Sequence, residues 1–283
     1  MIHKKTRLLR MLARVFALVL LLSMMLVGCE EETPKRNFPD FDANSIGGNS
    51  TSKNNSNNNS NANDNSYTTG GNGSSSGKKR VAITYDDGPH IERTKAIADE
   101  LAKYGFHATF FVVGNRVNGD AYSGGEAVKY VASKGNEIAI HAYTHSKYYD
   151  TCSDQDYKNE IKKTSDAILE KLPNAKIRLM RPVGGRITAE RTEACDYSVV
   201  MWSVDSNDWR YKNSGDENVK AIVDNVMSSV RDGSIILMHD IYENTYLATK
   251  EILKQLNAQG YEVVTVSQLL GNPRPGVKYS KAQ

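Results

Sequence analysis

From Arg80 onward, short apolar runs alternate with helical patterns, and that alternation leaves few folds open to the chain. Strands are predicted at Val81–Tyr85, Ala108–Val113, Glu137–Ile140, Ile177–Arg181, Tyr197–Ser203, Ser234–Met238 and Glu262–Val266. Between them lie helices. In the clearest one, Val219, Ile222, Val223, Val226, Met227 and Val230 recur at intervals of three and four and form one continuous apolar face, closed by Gly233. Another opens with Ser153 and Asp156 in capping-box spacing, carries Tyr157, Ile161, Ile168, Leu169 and Leu172, and stops before Pro173. Seven strands alternating with helices call for a parallel α/β fold.

The polar clusters fall where these strands end. Asp86 and Asp87 follow the first, His141 and His145 the third, Arg181 and Gly184–Gly185 the fourth, Asp205 and Asp208–Trp209 the fifth, and His239–Asp240 the sixth. The carboxyl ends of parallel strands share one rim, where such folds hold their active sites. Taken singly, each cluster is ambiguous. Asp-Asp-Gly-Pro is good turn chemistry, and His141-x-x-x-His145 follows a strand and lacks the glutamate of a zinc-protease helix. Converging on one rim, they supply what metal-assisted acyl hydrolysis needs. Two imidazoles and a carboxylate leave a coordination position open, a second carboxylate can act as base, and another histidine can protonate the leaving group. Amides of the Gly184–Gly185 turn can face an oxyanion. His90 and His107 fit no part of this pattern and read as surface or packing residues.

The rest of the chain reads as an address and a tether. A basic stretch ending at Arg14 precedes an apolar run from Val15 to Val27, too short for a confident membrane span and suited to a signal-peptide core. Its end, Leu26-Val27-Gly28-Cys29, resembles the lipobox of bacterial lipoproteins, which implies lipidation of Cys29 and a chain anchored to the outer face of the cell membrane. Residues 30–79 are expected to form a linker, since 11 Asn, 9 Ser and 6 Gly fill the 35 positions from Ala43 to Gly77. As a flexible coil its mean reach is about 40 Å. Residues 80–272 would be the catalytic domain and 273–283 a tail. With the leader's five basic residues set aside, 31 basic face 33 acidic residues, which gives a nucleic-acid partner no support. Cys152 and Cys195 could pair in an oxidising compartment or remain two buried thiols.

The rim motifs resemble those of the NodB-homology polysaccharide deacetylases, family four of the carbohydrate esterases. They appear in order as Thr84-Tyr85-Asp86-Asp87-Gly88-Pro89, His141-Ala142-Tyr143-Thr144-His145, Arg181-Pro182-Val183-Gly184-Gly185, Asp205-Ser206-Asn207-Asp208-Trp209 and Ile235-Ile236-Leu237-Met238-His239-Asp240. The resemblance implies a distorted (β/α) barrel of about seven parallel strands. It implies that Asp86 is the general base, that Asp87, His141 and His145 hold a divalent metal, and that His239 is the general acid. Zinc is favoured, with cobalt, nickel or manganese as alternatives. Arg181 would orient the base, Asp205 would tune His239, the Gly184 amide would meet the oxyanion, and Trp209 and Leu237 would line the acetyl notch. The expected substrate is an acetylated envelope polysaccharide, N-acetylglucosamine-type residues of peptidoglycan or a chitin-like glycan, acted on by a monomer. A xylan O-acetyl esterase and a non-catalytic glycan binder are the competing readings. Two departures stand out. Ala142 replaces the usual Ser or Thr, which predicts a lost brace on the metal loop, and Val183-Gly184 replaces Pro-Tyr, which predicts a missing wall of the substrate groove.

Overall fold

The computed structural model describes residues 77–119, 124–212 and 215–282; the expected leader, Cys29 and nearly all of the expected linker lie outside them. Among the described residues nine strands form one sheet: β1 (Lys79–Asp86), β2 (Thr109–Val113), β3 (Glu137–Ala142), β4 (Leu179–Met180), β5 (Ser198–Val200), β6 (Val204–Asp205), β7 (Ile235–His239), β8 (Tyr261–Val263) and β9 (Lys278–Tyr279). The order is β6-β7-β1-β2-β3-β4-β5-β9, with β8 paired to the first residues of β1, and every pairing among these strands is parallel. Helices α1 (Ile91–Lys103), α2 (Gly114–Asn118), α3 (Gly124–Ser133), α4 (Asp154–Lys171), α5 (Ala189–Glu193), α6 (Asp216–Ser229), α7 (Glu243–Ala258) and α8 (Val266–Leu270) fill the connections.

The sheet is curled, and the chain itself requires the curl. β5 and β6 lie toward opposite ends of the strand order, yet only residues 201–203 separate them in sequence. An extended segment of that length reaches about 14 Å, so the two edges must approach each other. The result is the distorted (β/α) barrel expected from the sequence. At this seam the predicted strand Tyr197–Ser203 shrinks to β5, and β6 begins just beyond it at Val204. The predicted strand Glu262–Val266 is also cut short, because Thr265 and Gln268 form a reciprocal capping box that starts α8. β9, in the segment read as a tail, covers the open edge of β5.

Strand alternation sorts the two faces. Val81, Ile83 and Tyr85 pack outward in the large core with the helices, while Ala82 faces inward in a second cluster with Phe111, Ala139, Leu179, Val200 and Ile235. Truncating Phe111, fully buried there, would cost about 3–5 kcal/mol. Helix α8 closes the amino end of this interior: the Val266 amide donates to Thr109 Oγ1 (2.9 Å) and the Ser267 amide to Glu137 Oε2 (3.2 Å). The same alternation carries Thr84 and Asp86, Ala139 and His141, Leu179 and Arg181, and Leu237 and His239 along the inner face to the carboxyl rim.

Candidate active site

Asp86 ends β1 and lies in register with His239 at the end of β7. In an extended strand the next residue would point to the opposite face. Asp87 escapes that rule because its φ is 71°, a left-handed turn that brings both carboxylates to the rim. Gly88 permits the turn's close packing, since a Cβ there would collide with the carboxylate of Asp240. That carboxyl is fully buried, and burial, partly opposed by a hydrogen bond from Thr94, pushes it up to about 7.

Arg181 is buried completely behind Asp86. Its Nη1 donates to Asp86 Oδ1 (2.8 Å) and Thr84 Oγ1 (2.7 Å), and its Nε and Nη2 donate to the carbonyls of Val200 (3.1 Å) and Met201 (3.0 Å). Its guanidinium carbon lies 4.2 Å from the centre of the Phe111 ring. A buried pair satisfied this fully is costly to break from one side, by about 3–5 kcal/mol. Asp86 is thereby held in place with its other oxygen, Oδ2, 4.0 Å from His141 Nδ1.

The next three groups converge on one point. His141 Nε2 and His145 Nε2 lie 3.3 and 3.0 Å from Asp87 Oδ1, and ligand atoms of all three residues fall within 4.8 Å of one another. His141 Nδ1 is 2.8 Å from the Arg181 carbonyl oxygen, which can only accept, so the proton of the neutral ring sits on Nδ1. Its Nε2 then presents a lone pair to a carboxylate oxygen that is itself buried without a hydrogen bond of good geometry. Acceptor facing acceptor is unfavourable unless a cation lies between them, so the donor set fits a divalent metal, with the backbone carbonyl orienting the ligand ring. Burial pushes the Asp87 carboxyl up, but the two imidazoles beside it, His141 and His145, outweigh that and hold the carboxyl well below the usual range.

Glu160, a residue that motif reading passed over, fixes the loop between the two histidines. It projects from α4, nearly buried, and accepts from the Tyr143 and Thr144 amides through Oε2 and from Thr144 Oγ1 through Oε1, each at 2.8 Å. Ala142 is fully buried at the end of β3. The brace that Ala142 cannot supply therefore comes from Glu160. The Tyr149 hydroxyl adds a bond to the His141 carbonyl at 3.2 Å.

At the acid position the structure corrects one assignment. Asp205 does not touch His239; its Oδ1 accepts from the Asn207 amide (2.8 Å) in a local turn. Asn207 is left-handed (φ 56°), and the chain reverses there so that the next residue, Asp208, is fully buried against the histidine. Asp208 Oδ1 accepts from His239 Nδ1 (2.7 Å), and Oδ2 accepts from the His239 amide and Thr245 Oγ1, both at 2.7 Å. Burial lowers the His239 pKa, but the hydrogen bond and charge of Asp208, followed by the charges of Asp86 and Asp87, raise it to about 9. The ring is therefore a cation at neutral pH with an Nε2 proton to give.

The remaining predicted residues lie around this centre. Leu237 is buried on the inner face beside Thr84 and Asp205. Trp209 is 42% exposed, with the Arg210 guanidinium carbon 4.7 Å from its ring centre. Gly184 is left-handed (φ 59°) in the turn after β4, where the Gly185 amide is spent on the Pro182 carbonyl (2.9 Å). A 440 Å³ cavity opens beside Asp87 and His145 and is bounded further out by Asn115, Arg116 and Ile241. His90 lies outside the centre and caps α1, its Nδ1 accepting from the Arg93 amide.

Residues 73–200 match the family model for polysaccharide deacetylase. A peptidoglycan-N-acetylglucosamine deacetylase of Bacillus cereus is 36% identical over 201 residues, an alignment covering 68% of this chain and 89% of that protein. The chain belongs to the polysaccharide deacetylase family. It is also 41% identical over 192 residues to the peptidoglycan-N-acetylmuramic acid deacetylase PdaC of Bacillus subtilis, covering 68% of this chain and 39% of PdaC. The solved structure of that deacetylase superposes with a TM-score of 0.62 at 40% identity, covering 68% of this chain and 90% of the other. A family 4 acetyl xylan esterase from Clostridium thermocellum, in complex with a cobalt ion, superposes with a TM-score of 0.64 at 29% identity, covering 72% and 98%. The chain spans about two fifths of the length of curated relatives such as PdaC. In this deacetylase-family chain Asp86, His141 and His239 lie at the carboxyl ends of β1, β3 and β7, with Asp87 in the turn that follows β1.

Proposed function

We propose that this protein hydrolyses acetyl groups from an acetylated polysaccharide, and that its substrate is the N-acetylated sugar of peptidoglycan. The observation that carries the reading is the placement of a buried carboxylate, Asp86, and a cationic imidazole, His239, on adjacent strand ends beside a metal-competent triad. A glycan binder has no use for that acid–base pair.

Asp87, His141 and His145 would hold the metal. When bound, a divalent cation supplies Lewis-acid activation of the water and of the acetyl carbonyl. Asp86, positioned by Arg181, takes the proton of the attacking water. The Gly184 amide donates to the developing oxyanion, and the Leu237 side chain with Trp209 receives the acetyl methyl. His239 then delivers its Nε2 proton to the departing nitrogen, so that acetate and a free amine leave. The Nδ1 bond to Asp208 keeps that ring oriented throughout.

The substrate reading draws on relatives that act on peptidoglycan and on the lipobox-like Cys29, with a linker reaching about 40 Å, the scale of an enzyme held at its own envelope. The deciding experiment measures acetate released from matched N-acetylglucosamine oligomers, peptidoglycan fragments and acetylated xylo-oligomers. A preference for the xylan esters of more than tenfold in kcat/KM would overturn the substrate reading, and no release from any of them would overturn the catalytic one. Zinc is the proposed metal, to be checked by the metal content of the purified protein. Anchoring is tested by Cys29→Ser, which should leave the precursor unprocessed and unlabelled by a fatty-acid analogue.

A further inference from the structure

Gly184 leaves an open position beside the oxyanion turn, and a different part of the chain fills it. An ideal Cβ on Gly184 would lie 3.4 Å from Cε1 and 4.0 Å from Cδ1 of Tyr148. Tyr148 stands three residues beyond the metal-ligand candidate His145, so its ring joins the two loops that flank the proposed carbonyl site. A single exposed aromatic is ordinary on a protein surface. This one is 46% exposed and braced from several directions. The Arg186 guanidinium carbon sits 4.2 Å from its ring centre, and Arg186 is itself held by Asp150 at 2.9 Å. Its backbone carbonyl accepts from the Thr151 and Cys152 amides at 3.2 and 3.0 Å. The neighbouring Tyr149 is fully buried and bridges in parallel to Ile187, which locks the segment carrying Tyr148 to the one carrying Gly184 and Arg186.

We infer that Tyr148 is the aromatic wall of the glycan groove on the Gly184 side, packing against the ring of a sugar whose acetyl group is presented to Gly184. The inference deepens the deacetylase reading and rests on it for the identity of the ligand. The chemistry is that of a flat apolar ring carrying a polar hydroxyl, matched to the C–H face and hydroxyl rim of a pyranose. Its arrangement is set before binding, so little rotamer freedom is lost when the sugar arrives. A tyrosine side chain at position 184 would need to be accommodated at φ 59°, a conformation that side-chain-bearing residues rarely adopt. Glycine in the turn with the ring supplied by Tyr148 avoids that strain.

The test is made in the full chain carrying Asp86→Asn, so that binding is read without turnover, by titrating an N-acetylglucosamine tetramer and measuring Kd calorimetrically. Adding Tyr148→Ala should weaken binding about tenfold, while Tyr148→Phe should keep it within about threefold. Metal content and melting temperature are followed alongside to separate lost contact from lost fold. In the otherwise unaltered enzyme, Tyr148→Ala should raise KM and leave kcat within about twofold. An unchanged Kd in the alanine variant, or a fall in kcat at constant KM, would overturn the assignment. Because the Kd arm requires no hydrolysis, failure of the deacetylase reading itself would appear separately, as absent acetate release with tetramer binding and its Tyr148 dependence intact.

Discussion

Replacing Asp208 by Asn should move the alkaline limit of catalysis, and the hydrogen bonds determine how far. Asp208 Oδ2 already accepts from the His239 amide and Thr245 Oγ1, so the Asn oxygen keeps that place and its NH2 faces His239 Nδ1. A donor then opposes a donor, and the imidazolium loses both its partner and its nearest negative charge. In the native site His239 sits at about 9 against its ordinary 6.5. That gap corresponds to ~3 kcal/mol favouring the cation. Burial, the largest influence on the ring and one that lowers its pKa, is then opposed only by the charges of Asp86 and Asp87, so the ring should return to near its ordinary 6.5. At pH 7.5 the protonated fraction drops from about 97% to about 10%. The assay is kcat/KM against pH on an N-acetylglucosamine oligomer. The descending limb should shift from near pH 9 by about two units or more, with about tenfold loss at pH 7.5 from protonation alone. Stability follows the same group. Its raised pKa means that the contribution of His239 is complete below about pH 6.5 and is lost as pH rises through about 9. The difference in unfolding free energy between wild type and variant should therefore shrink across that window. Asp205→Asn serves as the control. If it shifted the limb while Asp208→Asn did not, the reasoning would be refuted.

The other predictions concern the metal end of the site. Chelation should abolish acetate release and added Zn²⁺ restore it, with His141→Ala unable to retain metal and Asp86→Asn retaining about one ion per chain while losing ~100-fold in turnover; full activity in metal-free protein would sink the assignment. Glu160→Gln keeps the size of the side chain but replaces acceptor capacity with an amide donor facing a backbone N–H or a hydroxyl. It should weaken metal binding about 10- to 100-fold and perturb the visible spectrum of the Co²⁺-loaded protein. An unchanged metal affinity would show that the Tyr143–Thr144 loop does not depend on this clamp.

Much of this architecture was legible because the sequence patterns and the fold share one periodicity. β1, β2, β3 and β7 each fall on their predicted runs, since each is largely buried on both faces and so reads as a continuous apolar run. The errors cluster at the seam. β6 contains only two residues and lies just past the predicted Tyr197–Ser203 run, whose apolar Val199, Val200, Met201 and Trp202 read as one strand although Met201 and Trp202 are half-buried and Ser203 is exposed where the chain crosses between sheet edges. At β8 the apolar residues continue past the strand into α8, and only the Thr265 and Gln268 pair marks the change. That capping signal was present in the sequence and outweighed by hydrophobicity.

Glu160, which sequence reasoning missed, and Asp208, which it placed on the rim without a role, share a feature: both are buried acids whose partners are not apparent from the motif. α4 buries Tyr157, Glu160, Thr164, Ala167 and Ile168, so Glu160 lies on the apolar face in phase with the core. A carboxylate there is expensive unless it is hydrogen-bonded, and the backbone of the metal loop supplies the donors. Asp208 is the same case in a turn. Asp205 lies nearer the strand end and so looks like the partner of His239, but an Asp two residues before Asn207 is also the signature of a local side-chain turn. That turn uses up Asp205 and redirects the chain, leaving the later acid to enter the core. Sequence distance from the strand end thus misleads, whereas asking which acid the turn chemistry leaves without a local partner singles out Asp208. The same question asked of α4 singles out Glu160, whose three acceptor bonds compensate for the hydroxyl that position 142 lacks.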